Sequence, residues 1–265
     1  MKFRSMQILT VVSLVAGAAR VATAAEPASP WSLSISGGDS IGESGSLRSP
    51  ITTPFSDLGT LDPALSGTSG TLRLDKLRYE DVFRRRFDTG LELDYSFNDN
   101  LQSYGRFGYT SLGAHMSTIG SLEGTALDSP AAVRAHFAEA NNMSFELGSR
   151  YFWATGTDWK PFAGFSLGAT HLDAMSATLS SPDLTTDLSD LRFTRGGTVF
   201  SQSLQTGVDY TPSEAFDLRF AIDAAHVGKP PNGDDPRLTS LGFGPNDDAR
   251  SFWSFPVSVA AAFHF

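Results

Sequence analysis

Phe255, Val257, Val259, Ala261, Phe263 and Phe265 alternate with Pro256, Ser258, Ala260, Ala262 and His264 at the C-terminus. A period of two with one apolar face predicts a β-strand. The run exceeds the ~5–6 residues of an ordinary globular strand. It suits the ~9–11 residues of a strand that crosses a bilayer at a tilt. The same alternation recurs at Phe87 to Phe97, Met143 to Trp153, Leu204 to Tyr210 and Phe216 to Ala225. Weaker versions span Trp31 to Gly38, Leu101 to Leu112 and Trp159 to Leu172.

The connections alternate in length. Asn98-Asp99-Asn100, Ala154 to Asp158 and Thr211 to Ala215 are short and rich in turn formers. Between them lie long polar stretches, roughly Asp39 to Asp81, Gly113 to Asn142, Asp173 to Thr198 and Gly228 to Arg250. Short turns on one side and long loops on the other predict an all-β fold. The expected architecture is a closed antiparallel up-and-down transmembrane barrel of about eight strands, with the short turns periplasmic. Within the second long stretch, Ser129-Pro130 is expected to open a short helix running to Glu139, with Val133 and Phe137 on one face.

The N-terminus carries a separate signal. Lys2 and Arg4 precede the apolar run Ile8 to Ala19, and Ala22-Thr23-Ala24 is a small-residue cleavage signature. Residues 1–24 are therefore expected to be a signal peptide and 25–265 an outer-membrane barrel domain. An uncleaved N-terminal anchor is the alternative. No later run approaches the ~20 apolar residues of a spanning helix. A membrane-embedded body must then be a closed barrel, because an open sheet leaves backbone polar groups unpaired in lipid.

Composition narrows the function classes. A net charge of −9 without long basic runs argues against nucleic-acid binding. The absence of cysteine excludes a disulfide scaffold, thiolate metal sites and Cys nucleophiles. A hydrophobic fraction of 40% looks soluble, yet only alternate residues of a barrel strand meet lipid. The aromatic residues agree with two interfacial girdles. Trp31, Tyr95, Phe97, Trp153, Trp159, Tyr210, Phe216, Phe263 and Phe265 fall near short-turn ends, and Phe87, Tyr109, Phe145 and Trp253 near long-loop ends.

In the paired stretches Leu91 to Tyr109 and Ser144 to Ala169, and in the terminal Phe263-His264-Phe265, the chain resembles the small eight-stranded outer-membrane barrels of the OmpA transmembrane-domain and opacity-protein type. The resemblance implies a Gram-negative outer-membrane location and contact with outer-membrane lipid and lipopolysaccharide. It also implies handling by the barrel-assembly machinery, with Phe263 and Phe265 as the assembly signal. It fixes no molecular activity.

Strand parity points charges inward. Glu92, Asp94, Arg106, Glu146, Arg150, Arg219 and Asp223 form the expected lumen network, and Asp88, Lys160, Asp209 and Asp217 are also expected to face inward. The turn at Asn98-Asp99-Asn100 places Glu92 opposite Arg106, which suggests a direct pair. The inward faces of the first, fifth and last strands are small (Ser32, Ser34, Ser36; Gly164, Ser166, Gly168; Ser258, Ala260, Ala262) and leave room for long charged chains. Such a network either plugs the barrel or gates a pore. Arg84-Arg85-Arg86 stands where the first long loop enters its strand, either as a lipopolysaccharide contact, since Arg recognises phosphate bidentately, or as a solvated rim. Asp234, Asp235, Asp247 and Asp248 lack calcium-loop spacing.

The five histidines, His115, His136, His171, His226 and His264, show no metal-ligand spacing. Outer-membrane lipid A deacylases pair a His with a Ser two residues later, whereas Val227 and Gly228 follow His226. No catalytic constellation, metal site or cofactor motif is read. The leading expectation is a structural or surface-interaction barrel with a charge-plugged lumen, long extracellular loops and an unknown extracellular ligand. The alternative is a small low-conductance porin gated by the inward charges, and a more remote one is a rim enzyme acting on lipid. Deleting Phe265 is expected to lower membrane insertion while leaving secretion intact. Fractionation and the heat-dependent gel shift of the folded barrel measure this, and unchanged insertion would count against the assembly signal.

Overall fold

Alternating residues can satisfy two environments at once only if the sheet closes, with one face on lipid and the other on a lumen. The computed structural model describes residues 29–153, 157–231, 233, 235–237 and 249–265. The expected signal peptide, residues 1–24, lies outside the described residues. In chain order the elements are β1 (Trp31–Ser44), β2 (Ser46–Arg48), β3 (Ile51–Phe55), β4 (Gly70–Leu74), β5 (Leu77–Arg78) and the one-turn helix α1 (Tyr79–Val82). There follow β6 (Phe83–Ser96), β7 (Leu101–Ala114), β8 (Met116–Gly124), β9 (Ala131–Phe137), β10 (Ala140–Phe152) and β11 (Trp159–Leu172). The chain ends with β12 (Met175–Ser180), β13 (Leu188–Thr194), β14 (Gly197–Ser213), β15 (Phe216–Val227) and β16 (Phe252–His264).

Among the described residues, eight strands close in the order β1-β16-β15-β14-β11-β10-β7-β6, and β6 pairs back onto β1. Every pairing is antiparallel. The expected fold class holds, and each of the eight sequence-predicted strands is a barrel strand. Leu91, Phe107, Phe145, Leu147, Phe165, Leu204 and Ile222 stand exposed on the outside. In water so large an apolar surface would drive association; in a bilayer it is the lipid belt. Paired aromatic rings mark the short-turn end, with Trp31 4.8 Å from Tyr95 and Trp159 4.6 Å from Tyr210. Phe216 departs from this pattern: it is buried and packs on Phe263 at 5.3 Å.

The long connections are not open polar loops. They carry a six-stranded sheet in the order β13-β12-β9-β8-β4-β3. The hairpin β8–β9 rises from β7 and β10, and β12–β13 rises from β11 and β14. The buried face carries Leu72, Leu122, Val133, Phe137, Leu179 and Phe193. The same core includes Phe83, Leu112, Ala140, Leu172, Val227 and Phe252 at the barrel's upper rim. The six-stranded sheet thus shares one apolar core with the rim of the barrel.

The expected helix at 129–139 is wrong: Ala131–Phe137 is strand β9, with Ala131, Val133, Ala135 and Phe137 buried and Arg134 and His136 exposed. Val133 and Phe137 are four residues apart, a spacing that shares a face in a helix and in a strand alike. The tertiary pairing decides between them, because β9 hydrogen-bonds β8 on one side and β12 on the other.

Side chains tie the long connections together. Asp62, at the N-cap of the short 3-10 turn Pro63–Leu65, accepts from Ala64 N at 2.9 Å and from Thr185 Oγ1 at 2.8 Å. It also accepts from Thr185 N, at 2.5 Å. This clasp joins the first and third extracellular connections. On the outer edge of β13, Asp235 accepts from Arg192 N at 3.3 Å, and Arg237 donates to the carbonyls of Ser189 and Asp190. The pair supplies an acceptor and donors as a neighbouring strand would, which protects the edge. Asp235 and Arg237 are bonded to each other at 2.7 Å. The bonds from Arg237 hold the Asp235 carboxyl below its usual range. Asp234, Asp247 and Asp248 lie outside the described residues.

The amides of Ala64 and Thr185 lower the pKa of Asp62 from its ordinary value. The clasp's contribution is therefore complete above the unfolded carboxylate pKa of about 4 and is lost as pH falls through the lower folded value. Limited proteolysis of the connection around Thr185 should accelerate several-fold below about pH 4. Asp62→Ala should show the faster cleavage already at neutral pH, with the acid dependence flattened. An unchanged profile in the variant would remove the clasp from the account.

Candidate functional site

Among the described residues the lumen gathers a dense cluster of polar side chains, drawn from inward positions on all eight barrel strands. Arg150 on β10 is 1% exposed. Its guanidinium donates to both oxygens of Glu92, at 2.7 Å each, to Asp94 at 2.9 Å and to Gln205 at 2.6 Å. Arg219 on β15 donates to Glu92 at 2.6 Å, to Gln102 at 3.1 Å and to Asp209 at 2.9 Å. Asp94 also accepts from Ser34 at 2.9 Å. Below this layer, His264 Nε2 lies 2.8 Å from Asp217 Oδ2.

A second layer stands above. Arg106 donates to Glu146 at 2.6 Å and lies 3.6 Å from Asp223, while Ser166 donates to Glu146 at 2.7 Å. A third closes the upper lumen: Arg86 donates to Asp88 at 2.9 Å, to Glu43 at 3.0 Å and to Ser254. A β-bulge between Ser40 and Glu43 brings Glu43 opposite Ser254, next to that arginine. Between the second and third layers lies a cavity of about 100 Å³ lined by Asp88, Arg106, Ser144, Glu146, Asp223 and Ser258. Charged groups reach into it, and it has room for several waters.

Rings and small residues make the network fit. The Arg150 guanidinium lies 3.8 Å from the centre of the Tyr104 ring, a cation–π contact. A Cβ at Gly148 would sit 2.4 Å from that ring, and one at Gly164 would sit 2.7 Å from the Ser149 carbonyl oxygen and 2.9 Å from Arg150 Cγ. These two positions need glycine because a neighbouring strand's backbone and a long side chain both crowd them. Phe152 and Phe162 form a small apolar floor with Ala221.

The structure brings Glu92, Asp94, Arg106, Glu146, Arg150, Arg219 and Asp223 together in the lumen, with partners other than a direct Glu92–Arg106 pair. Glu92 and Arg106 are opposite each other in the β6–β7 register. Yet Glu92 pairs with Arg150 and Arg219, whereas Arg106 turns to Glu146 and Asp223. In a closed barrel an arginine reaches carboxylates across the lumen as easily as along the sheet. The expected rim role of Arg86 is also overturned: it is an inward residue bonded within the barrel. Arg84 and Arg85 lie in β6, with side chains outside the described set. Asp209, expected to face inward, stands opposite Arg219 in the β14–β15 register. Gln102, Gln205 and Glu43 join the network without having been singled out. Glu43 could not be read from parity, because the bulge changes it.

The histidines on the outer face stay apart. His171 Nδ1 is 3.1 Å from Thr198 Oγ1, and the His226 ring lies 4.9 Å from Trp253. Phe263 packs on Phe216, and Phe265 N donates to Trp31 O at 3.3 Å beside the closing seam.

A closed eight-stranded barrel with an apolar outer belt, a charge-filled lumen and long connections on one rim is a transmembrane β-barrel of the outer-membrane type. No protein-family model and no curated protein matches the sequence. Among solved structures, Neisserial surface protein A is similar at 15% identity, covering 91% of this chain and 100% of that one, with a TM-score of 0.41. Ail, the attachment invasion locus protein of Yersinia pestis, solved with the heparin analogue sucrose octasulfate, is similar at 13% identity, covering 89% and 99%, with a TM-score of 0.36. The outer membrane protease OmpT of Escherichia coli is similar at 10% identity, covering 92% and 99%, with a TM-score of 0.42. The class rests on the barrel itself.

Removing one member of a buried ion pair costs about 3–5 kcal/mol, because the other charge is left uncompensated. Glu92→Ala and Arg150→Ala should each destabilise the barrel by about that much, read by urea unfolding in detergent. The double variant should fall well short of the sum. The Glu92/Arg106 pair should show the smaller coupling. Equal coupling in both cycles would contradict the partnering described above.

Proposed function

We propose that this chain is an outer-membrane barrel with a structural or surface-interaction role: a plugged pedestal that presents a folded extracellular β-domain. The observation that carries this reading is the apolar core shared by the six-stranded sheet and the barrel rim, which caps a lumen already filled by ion pairs. A barrel that only conducted would need no such cap. On this reading an N-terminal signal directs export, the assembly machinery reads Phe263 and Phe265, and lipopolysaccharide surrounds the outer rim. The extracellular face meets a ligand outside the cell, and no catalytic role is assigned to it.

A second reading, a small gated pore, draws support from the cavity between the Arg106 and Arg86 layers. Conduction would then require the paired layers above and below it to part. Planar-bilayer recording of the refolded protein separates the two readings. The pedestal is expected to be silent, and steady single-channel openings would overturn it in favour of the pore. Mass analysis of lipid A from cells with and without the protein should show no difference; a modified lipid would revive a rim enzyme.

A further inference from the structure

The hairpins β8–β9 and β12–β13 carry the barrel strands upward, so the sheet extends the wall, with its buried face toward the barrel axis and its exposed face outward above the lipid. That exposed face carries Arg73 on β4, Arg134 and His136 on β9, and Arg192 on β13. Each arginine is flanked across the strands by hydroxyl side chains. Arg73 stands opposite Thr52 and Ser121, Arg134 opposite Thr118 and Ser180, and Arg192 opposite Ser176. His136 stands opposite Thr178. The side chains of Arg134 and Arg192 make no ion pair among the described residues. Arg73 has only Glu123, at 3.5 Å, in an exposed pair that contributes little.

From strand spacing, Arg73 to Arg134 and His136 to Arg192 are each about 12 Å apart, so the cations cross the sheet as a diagonal stripe. Two acids share this face, Glu123 on β8 and Asp190 on β13. Asp57, Asp128, Asp183 and Asp187 are exposed in the connections at the far ends of the hairpins. The flank therefore keeps an excess of cations among hydroxyls, while the crown is acidic. Met116 is the large apolar residue on the flank, which lacks the aromatic anchors typical of a protein-binding hot spot.

We propose that this flank binds the phosphorylated core saccharide of the lipopolysaccharide around the barrel. A guanidinium fork beside hydroxyl donors suits phosphate oxygens and sugar hydroxyls together. The position favours a membrane-anchored anion over a soluble one. β7 and β8 are separated by His115 alone, so the stripe rises directly from the barrel wall into the layer that the lipid's saccharide fills. A soluble polyanion arriving from outside meets the acidic crown first. The inference rests on the outer-membrane reading and gives it a specific partner surface.

The refolded protein in neutral detergent is mixed with purified lipopolysaccharide bearing a phosphorylated core, and binding is read by native-gel mobility at low salt. The triple variant Arg73→Ala/Arg134→Ala/Arg192→Ala should retain lipid about tenfold more weakly than the wild type. Lipopolysaccharide with a dephosphorylated core should bind both proteins at that weaker level. Unchanged binding by the triple variant, or indifference to core phosphate, would overturn the inference. Equal affinity for soluble inorganic polyphosphate would overturn the membrane-anchored partner. The heat-dependent gel shift, run on the same samples, keeps the two readings apart. A folded barrel whose variant binds unchanged sinks the flank alone, whereas a wild type that forms no heat-resistant barrel sinks the outer-membrane reading and the flank with it.

Discussion

Closure of β1 onto β16 is the constraint on which the rest depends. In lipid every backbone N–H and C=O must be paired within the protein, so the sheet cannot keep an edge. The register from Ser32–His264 to Ser44–Trp253 satisfies both edge strands at once. Eight strands enclose a lumen just wide enough for its own side chains. Charges placed there have little water and must find each other. Arg150 shows the outcome: held by Glu92, Asp94 and Gln205, it lies against Tyr104 over a wall of glycine and serine.

Arg86 with Glu43 and Asp88 closes the top of the barrel, and the apolar rim above it is continuous with the core of the extracellular sheet. Long hairpins on a barrel usually expose their backbone to water. Here they pair with one another, are clasped by Asp62, and have their β13 edge covered by Asp235 and Arg237. The result is a stiff platform with different chemistry on its flank and its crown. Only such a platform can hold arginines on β4, β9 and β13 in fixed relation, because connections without mutual pairing would leave them independent.

How much was legible depended on the range of the interaction. Two-residue alternation is local, and it exposed the barrel strands from Phe255 to Phe265 and from Phe87 to Phe97 without any knowledge of neighbours. Short turns are nearly as local, so the opposition of Glu92 and Arg106 could be read across Asn98-Asp99-Asn100. Ion-pair choice is not local. Glu92 meets Arg150 and Arg219 from strands far along the chain, and no spacing encodes that meeting. The inward turn of Glu43 hinges on a bulge, which leaves no mark in a period-two pattern.

The strand β9 marks the boundary most sharply. Ala131, Val133, Ala135 and Phe137 were apolar at alternate positions all along, but Ser129-Pro130 and the four-residue spacing of Val133 and Phe137 served a helix equally well. By itself the sequence determined a closed, lipid-facing barrel with charges inside, because each residue's face follows from its parity. The tertiary structure alone decided which charges pair, that Arg86 turns inward, and that the long connections fold into a sheet. Those outcomes depend on contacts between segments far apart in the chain, and such contacts exist only once the barrel has closed and brought the hairpins side by side.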